Sequence, residues 1–233
     1  MRTYRLEIRL VQTAVVLTGL ILISGFLGAP IWGDSAKPQS GEVAPVVEDS
    51  QLEETEPVNP KIVAIGDSFT YGYPFGPDHS WTKQLEESLR VPVINKGIIY
   101  QNANDLLDRF DQDVINEQPG RVIIFAGTGD ALQNISLAEY QENLQAMVDK
   151  AKANHIEPIL ALPMPYPGFQ DQITEMRTWE IEYAKSQQIL TLDFSLVLFG
   201  ADGKYLPGLS EDGKYPTAEG YEVMGNYAAR VLK

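Results

Sequence analysis

From residue 61 to the end of the chain, short apolar runs alternate with longer stretches whose apolar residues recur every three or four positions. The short runs are typical of buried strands, and the longer stretches are typical of helices that bury one face. The runs predict strands at 62–65, 92–94, 121–125, 156–162 and 189–192. The longer stretches predict helices at 80–89, 102–116, 136–154, 169–186 and 217–232.

Strands that are separated by helices favour parallel pairing with helices on both faces of the sheet. The pattern therefore predicts an α/β fold, a three-layer α/β/α sandwich with a five-stranded parallel sheet of the flavodoxin-like kind. In such folds the chemistry lies at the carboxyl ends of the strands. One domain is expected, over residues 61–233.

The chain before residue 61 has a different pattern. Residues 1–9 carry three arginines, and residues 10–32 are almost entirely apolar. This order predicts a cytoplasmic basic N-terminus followed by a transmembrane anchor or a signal segment, with the rest of the chain outside the cytoplasm. The protein would be a single-pass membrane protein, or secreted if the segment is cleaved. Residues 33–60 are acidic and rich in proline, which predicts a disordered linker.

Composition narrows the function classes. The net charge of −14 over 233 residues argues against a nucleic-acid partner. The chain has no cysteine, and no metal-ligand spacing, P-loop or dinucleotide fingerprint is found, so no metal and no cofactor are expected. The sequence leaves the oligomeric state open.

The segment around Ser68 carries the candidate chemistry. Ser68 lies just beyond the carboxyl end of the first predicted strand, after Gly66, which permits a tight turn. A hydroxyl at this point would be exposed and close to backbone amides, as acyl transfer requires. Taken alone, Gly-Asp-Ser is also consistent with an ordinary polar turn in which Ser or Asp caps a helix.

Four segments, in order, resemble the sequence blocks of the SGNH/GDSL hydrolase family. They are 66–72 together with Ser80 and Trp81, then 93–98, 125–130 and 212–221. The resemblance covers about residues 61–232. It implies the SGNH hydrolase fold, Ser68 as the nucleophile, the amides of Ser68 and Gly97 as oxyanion-hole donors, and Asp212 as the acidic member of the site.

The chain departs from the family pattern at two positions. Gly129 replaces the Asn whose side chain contributes to the oxyanion hole, and Tyr215 replaces the His that acts as general base. A phenol ionises near pH 10, so Tyr215 is expected to stay neutral and to donate a hydrogen bond to Asp212 or Ser68. Gly129 is expected to leave a gap that water or a substrate group could fill.

The chain has two histidines that could substitute for the missing base. His79 lies on the active side of the predicted sheet, although an ordinary loop role next to Ser80 is favoured. His155 is expected at the opposite end of the sheet.

Two functions follow from these observations. The first is a membrane-tethered, extracytoplasmic serine ester hydrolase that acts on small acyl or acetyl esters of envelope carbohydrate or lipid through an acyl-serine intermediate. The alternative is a catalytically impaired relative that binds a glycan or an acyl group at the cell surface.

Overall fold

The computed structural model describes residues 59–233, which contain a five-stranded, all-parallel sheet in the order β2-β1-β3-β4-β5. The strands are β1 (Ile62–Gly66), β2 (Val93–Gly97), β3 (Arg121–Phe125), β4 (Glu157–Ala161) and β5 (Leu190–Leu192). The predicted α/β fold with a parallel five-stranded sheet is confirmed.

Nine α-helices are found among the described residues. They are α1 (Ser68–Tyr71), α2 (Trp81–Leu89), α3 (Ala103–Asp108), α4 (Phe110–Asp113), α5 (Thr128–Leu132), α6 (Leu137–Ala153), α7 (Gln170–Gln187), α8 (Ser195–Leu198) and α9 (Ala218–Val231). Two single-turn 3₁₀ helices span Pro77–His79 and Ile115–Glu117.

The sheet has a separate apolar core on each face because successive strand residues point in opposite directions. In β1, Ile62 and Ala64 join one cluster, and Val63 and Ile65 join the other. The first cluster is covered by α2, α8 and α9, and the second by α3, α4, α6 and α7. The continuous apolar runs in the sequence therefore correspond to strands buried on both faces.

Two elements differ from their predictions. The single helix predicted at 102–116 is divided at Arg109, whose backbone leaves the helical region at φ −103°, ψ 3°. At this break, the Arg109 guanidinium donates hydrogen bonds to the Gly66 carbonyl and to the Asp113 carboxylate. Strand β2 extends to Gly97, beyond the predicted end, because an edge strand tolerates its half-buried polar residues Asn95 and Lys96.

The predicted segments 1–9 and 10–32, and most of the predicted linker at 33–60, lie outside the described residues, so those expectations remain predictions. Among residues 59–233, no helix is both long enough and apolar enough to cross a membrane.

Candidate active site

Ser68 is the first residue of α1, directly after β1. The Asp67 carboxylate caps this helix by accepting a hydrogen bond of 2.9 Å from the Phe69 amide. Gly66 must lack a side chain, because a Cβ there would overlap the Thr70 hydroxyl and crowd the Phe125 carbonyl. The turn thus places the Ser68 hydroxyl at the carboxyl edge of the sheet, as the sequence predicted.

The Ser68 side chain does not open freely to solvent. The residue is only 4% exposed, so the expectation of an exposed hydroxyl is wrong for this structure. Two groups cover it. The Tyr100 amide donates a hydrogen bond of 3.1 Å to Ser68 Oγ, and the Tyr215 hydroxyl approaches Ser68 from another element.

Tyr215 lies in an aromatic cluster in front of Ser68. Its ring packs against Phe69, Tyr73 and Tyr166, with centroid distances of 5.3, 4.8 and 5.7 Å. Burial and a hydrogen bond with the Tyr166 hydroxyl raise the pKa of Tyr215 above its ordinary value. Tyr215 is therefore neutral at physiological pH and serves as a hydrogen-bonding group next to Ser68.

Asp212 organises the turn that carries Tyr215. Its Oδ1 accepts hydrogen bonds from the amides of Tyr215, at 2.9 Å, and Lys214, at 2.8 Å, and from the Ser210 hydroxyl. Burial alone would raise the pKa of Asp212, but these hydrogen bonds outweigh it and hold the pKa below its usual value. Asp212 remains an ionised, exposed carboxylate that bonds the backbone of Tyr215.

The Gly97 amide is already engaged. It donates to Asn95 Oδ1 at 2.8 Å, so it would have to change partner to stabilise an oxyanion. A side chain at Gly97 would overlap the backbone of Thr70 and Tyr71. The glycine therefore allows β2 to pack directly against α1, and its role as an oxyanion donor stays a prediction.

Gly129 does not leave the expected gap. A Cβ at this position would overlap the carbonyl oxygen of Gln101, so the backbone of the neighbouring loop fills the space. The amide of Gly129 faces the Asp67 carboxyl group. The expectation of room for water or a substrate group is wrong because the loop after β2 closes onto α5.

Two buried carboxyl groups, those of Asp67 and Asp130, form hydrogen bonds with the backbone of the loops around Ser68. Asp130 is fully buried and accepts hydrogen bonds from the amides of Ala103 and Gly127, both at 3.0 Å. Burial raises the pKa of Asp130 to about 6, and burial together with the nearby Asp130 raises the pKa of Asp67 to about 7. Their contacts are to backbone amides, which indicates that they hold the loops rather than react.

Neither histidine contacts Ser68. His79 ends an exposed 3₁₀ turn, where its ring lies 6.5 Å from that of Phe75. It lines a separate polar pocket of about 310 Å³ with Lys83, Glu219 and Glu222. His155 is exposed between α6 and β4, at the amino end of the strand.

A second pocket, of about 190 Å³, adjoins the site because Tyr215 forms part of its wall. It combines aromatic rings with carboxylates, and its lining comprises Tyr73, Pro74, Phe75, Glu211, Asp212, Tyr215, Pro216 and Thr217. No group of metal-binding side chains is found in residues 59–233.

Sequence reasoning missed two residues that contact the core of the site. Tyr100 follows β2 without any motif, and its contact with Ser68 depends on the path of the loop. Tyr166 lies in the proline-rich segment 163–167, and its contact with Tyr215 depends on the path of the loop after β4.

Comparison with known proteins finds matches over most of the described residues. The model of the GDSL-like Lipase/Acylhydrolase family matches residues 64–223. A structure from Desulfitobacterium hafniense, assigned to the G-D-S-L lipolytic family, is 54% identical, with a TM-score of 0.74, covering 75% of this chain and 100% of its own.

Two curated proteins are more distant relatives. An arylesterase of Vibrio mimicus is 24% identical over 74% of this chain and 88% of its own length. The lipoprotein YqeF of Bacillus subtilis is 30% identical over 45% of this chain, and the match spans 48% of YqeF.

Proposed function

This chain belongs to the GDSL-like lipase/acylhydrolase family, and from that premise we propose that it is a slow serine ester hydrolase with Ser68 as its nucleophile. The observation that carries the proposal is the position of Ser68 Oγ, at the carboxyl edge of the sheet between the Tyr100 amide and the Tyr215 hydroxyl. Acyl transfer needs a group that takes the Oγ proton and a donor for the charge that develops on the ester carbonyl oxygen, and these two groups are the candidates for those roles.

The proposed acylation step transfers one acyl group. Ser68 Oγ attacks the ester carbonyl carbon, and the Tyr215 oxygen accepts the Oγ proton while the phenol passes its own proton to the departing alcohol oxygen. The ester C–O bond breaks, leaving an acyl-serine and a free alcohol. Water then attacks the acyl-serine by the reverse proton path, which releases the carboxylic acid and restores Ser68.

Because Tyr215 accepts one proton while it donates another, this mechanism does not require the ionised form of the phenol. A phenol is a weak base, and its raised pKa makes the ionised form still rarer at neutral pH. Turnover is therefore expected to be slow, and fastest for esters whose alcohol is a good leaving group.

Small neutral acyl esters are the proposed substrates. The pocket of about 190 Å³ beside Tyr215 suits a short acyl chain or a single sugar-sized group. Acetyl or other short acyl esters of envelope carbohydrate or lipid fit both this size and the proposed location. The name of the arylesterase relative supports the use of aryl esters as test substrates.

A second candidate is a binding module without turnover. It is favoured by the small exposed fraction of Ser68, 4%, and by a phenol where a base is needed. In this case the pocket beside Tyr215 would hold an acyl or glycan group.

The test compares the wild-type chain with Ser68→Ala on phenyl acetate and a short-chain nitrophenyl ester. An alkyl fluorophosphonate, followed by mass spectrometry of the labelled peptide, reports nucleophilicity independently of turnover. Ser186→Ala is the matched control, because Ser186 is exposed and bonds only the Tyr183 carbonyl. Turnover and labelling that vanish only in Ser68→Ala support the enzyme, and equal hydrolysis in all three proteins would refute it.

We also propose that residues 10–32 tether the domain to the membrane with residues 61–233 outside the cytoplasm. The apolar segment with its preceding arginines supports this, as does the relationship to a B. subtilis lipoprotein. The full chain should sediment with membranes after alkaline washing and be cleaved by protease added to intact cells. A full chain recovered only from the cytosol would reject the tether.

A further inference from the structure

The pocket beside Tyr215 is bounded by aromatic rings from two segments of the chain. Tyr73 and Phe75 come from the segment after α1, and Tyr215 comes from the turn before α9. The Tyr73 and Tyr215 rings meet edge to face, with their centroids 4.8 Å apart. Phe75 keeps 47% of its surface exposed, so it presents an aromatic face that a ligand in the pocket would cover.

Two exposed carboxylates, those of Glu211 and Asp212, complete the lining. None of the ion pairs found among residues 59–233 includes either of them, although Lys214 is close in sequence. Within the same residues, Asp212 accepts its hydrogen bonds at Oδ1, so Oδ2 stays available to a ligand. In the described part of the chain, two negative charges beside aromatic rings thus have no positive partner.

Aromatic faces next to carboxylates are complementary to an organic cation. The face of an aromatic ring is the negative part of its quadrupole and attracts an ammonium group, and a carboxylate attracts the same group by its charge. An anion would be repelled by both kinds of group. A pocket of about 190 Å³ is smaller than those that hold drug-sized ligands, so it admits one small group.

The segment that carries Tyr73 and Phe75 is held by hydrogen bonds. The Tyr73 amide donates to the Ser68 carbonyl at 3.0 Å, and the Phe75 amide donates to the Gly72 carbonyl at 2.8 Å. The Tyr221 hydroxyl donates to the Tyr73 carbonyl at 2.8 Å. The two rings are therefore positioned before a ligand arrives, which reduces the entropy lost on binding.

The pocket adjoins the alcohol side of the ester. Tyr215 forms part of its wall and, in the proposed acylation step, passes a proton to the departing alcohol oxygen. A group joined to that oxygen by a short link would therefore reach the aromatic rings and the carboxylates.

We propose that the pocket beside Tyr215 is a subsite for a positively charged ammonium group on the alcohol part of the ester. This inference rests on the proposed hydrolase function and adds a substrate class, short neutral acyl groups esterified to an amino alcohol. The ammonium group belongs either to a quaternary ammonium alcohol or to an amino sugar. Tyr73, Phe75 and Tyr215 supply the aromatic contacts, and Glu211 and Asp212 supply the opposite charge.

The first experiment compares acetylcholine with 3,3-dimethylbutyl acetate, which has the same shape but carbon in place of the charged nitrogen. Each kcat/KM is divided by the rate constant for hydroxide-catalysed hydrolysis of the same ester, which removes the inherent difference in reactivity. At low ionic strength the corrected value for acetylcholine should be about 10-fold the higher, from exposed cation–π contacts together with exposed charges. The ratio should fall as salt screens the carboxylates.

Two variants of the full chain assign this preference to the pocket. Glu211→Gln removes one carboxylate, and Phe75→Leu removes one ring without changing the net charge. Each should lower the ratio by about two- to five-fold. The matched control is Glu222→Gln, which changes the net charge equally but lies in the polar pocket that His79 lines, and its ratio should equal that of wild type.

Binding is measured separately from turnover, in the full chain carrying Ser68→Ala. Ligand-detected NMR titrations compare choline with 3,3-dimethylbutan-1-ol, and glucosamine with glucose. Tighter binding of either cation than of its neutral counterpart, weakened by Glu211→Gln and not by Glu222→Gln, supports the subsite. The cation that binds more tightly identifies the class of alcohol. Circular dichroism and melting temperature establish that each variant is folded.

The outcomes separate this inference from the hydrolase proposal. Cations that bind no better than their neutral counterparts overturn the subsite, even if the chain hydrolyses phenyl acetate. A preference that Glu222→Gln lowers as much as Glu211→Gln reflects the field of the whole protein, and it also overturns the subsite. Cation binding weakened by Glu211→Gln, without Ser68-dependent turnover in the wild-type chain, overturns the hydrolase proposal and leaves a cation-binding pocket.

Discussion

At the scale of single residues, Tyr215 stands where the family motif has His, and a phenol differs from an imidazole in the pH range over which it exchanges a proton. The phenol fills an aromatic cluster and still reaches Ser68 and Tyr166. The pKa of Tyr215 lies above the ordinary phenol value, so the side chain already carries its proton at neutral pH. It therefore cannot act as a general base that takes up and keeps the proton of Ser68.

Tyr215→His is therefore expected to raise Ser68-dependent hydrolysis of phenyl acetate, by about 10- to 100-fold, because an imidazole accepts a proton near pH 6.5. The measurement is kcat/KM across pH, which should gain a dependence on a group titrating near neutrality. Tyr215→Phe is the control and should lose the wild-type rate. No gain with His, in a variant that melts normally, would mean that residue 215 does not transfer the serine proton.

Gly129 illustrates what a single position can and cannot reveal. The sequence identified the loss of the Asn side chain, but it suggested an empty space. The backbone of a distant segment fills that space, and no local pattern encodes the approach of two loops from different strands.

At the scale of elements, α6 and α7 are joined by a buried polar pair. The Tyr140 hydroxyl donates to Glu180 Oε2 at 2.5 Å, and Glu180 is 1% exposed. Burial raises the pKa of Glu180 to about 8, so the folded protein keeps this carboxyl group protonated at pH values where the unfolded chain has lost the proton.

This pair makes stability depend on pH. Because the folded-state pKa is raised, its contribution is complete below about pH 4.5 and is lost as the pH rises toward about 8. Wild type should therefore lose more unfolding free energy between about pH 5 and pH 9 than Glu180→Gln, by on the order of 1–4 kcal/mol. Urea unfolding at the two pH values measures the difference.

Glu182→Gln is the control for this experiment, since Glu182 is exposed on the same helix. Its pH profile should follow that of wild type. A Glu180→Gln profile that runs parallel to the wild-type profile would contradict the raised pKa.

At the scale of the whole molecule, the net charge of −14 should favour neutral substrates over negatively charged ones. Glu211 and Asp212 add negative charge to the rim of the pocket beside Tyr215. A protein field of one sign lowers the local concentration of ligands of the same sign, and salt screens the effect.

We expect kcat/KM for a neutral aryl ester to exceed that for its carboxylate-bearing analogue several-fold at low ionic strength, with the ratio approaching one in high salt. Glu211→Gln should reduce the ratio at low salt. Equal kcat/KM values for the two esters at low salt would show that the negative charge of the protein does not affect the reaction.

The sequence by itself determined the layers of the fold and the position of Ser68 at the carboxyl edge of the sheet. Continuous apolar runs mark strands buried on both faces, helical spacing marks the covering elements, and Gly66 with Ser68 marks the turn after β1. These features depend on neighbouring residues, so they can be read from a short segment.

Only the tertiary structure decided what surrounds Ser68. Three separate segments supply Tyr100, Tyr166 and Tyr215. Two other segments supply Arg109 and Gln133, which form hydrogen bonds with the loop after β2. Their contacts arise where loops after different strands meet at one edge of the sheet, and sequence periodicity carries no information about the path of a loop. That meeting of loops explains the hydrogen bond donated to Ser68 Oγ, the burial of the Ser68 hydroxyl and the filled space beside Gly129.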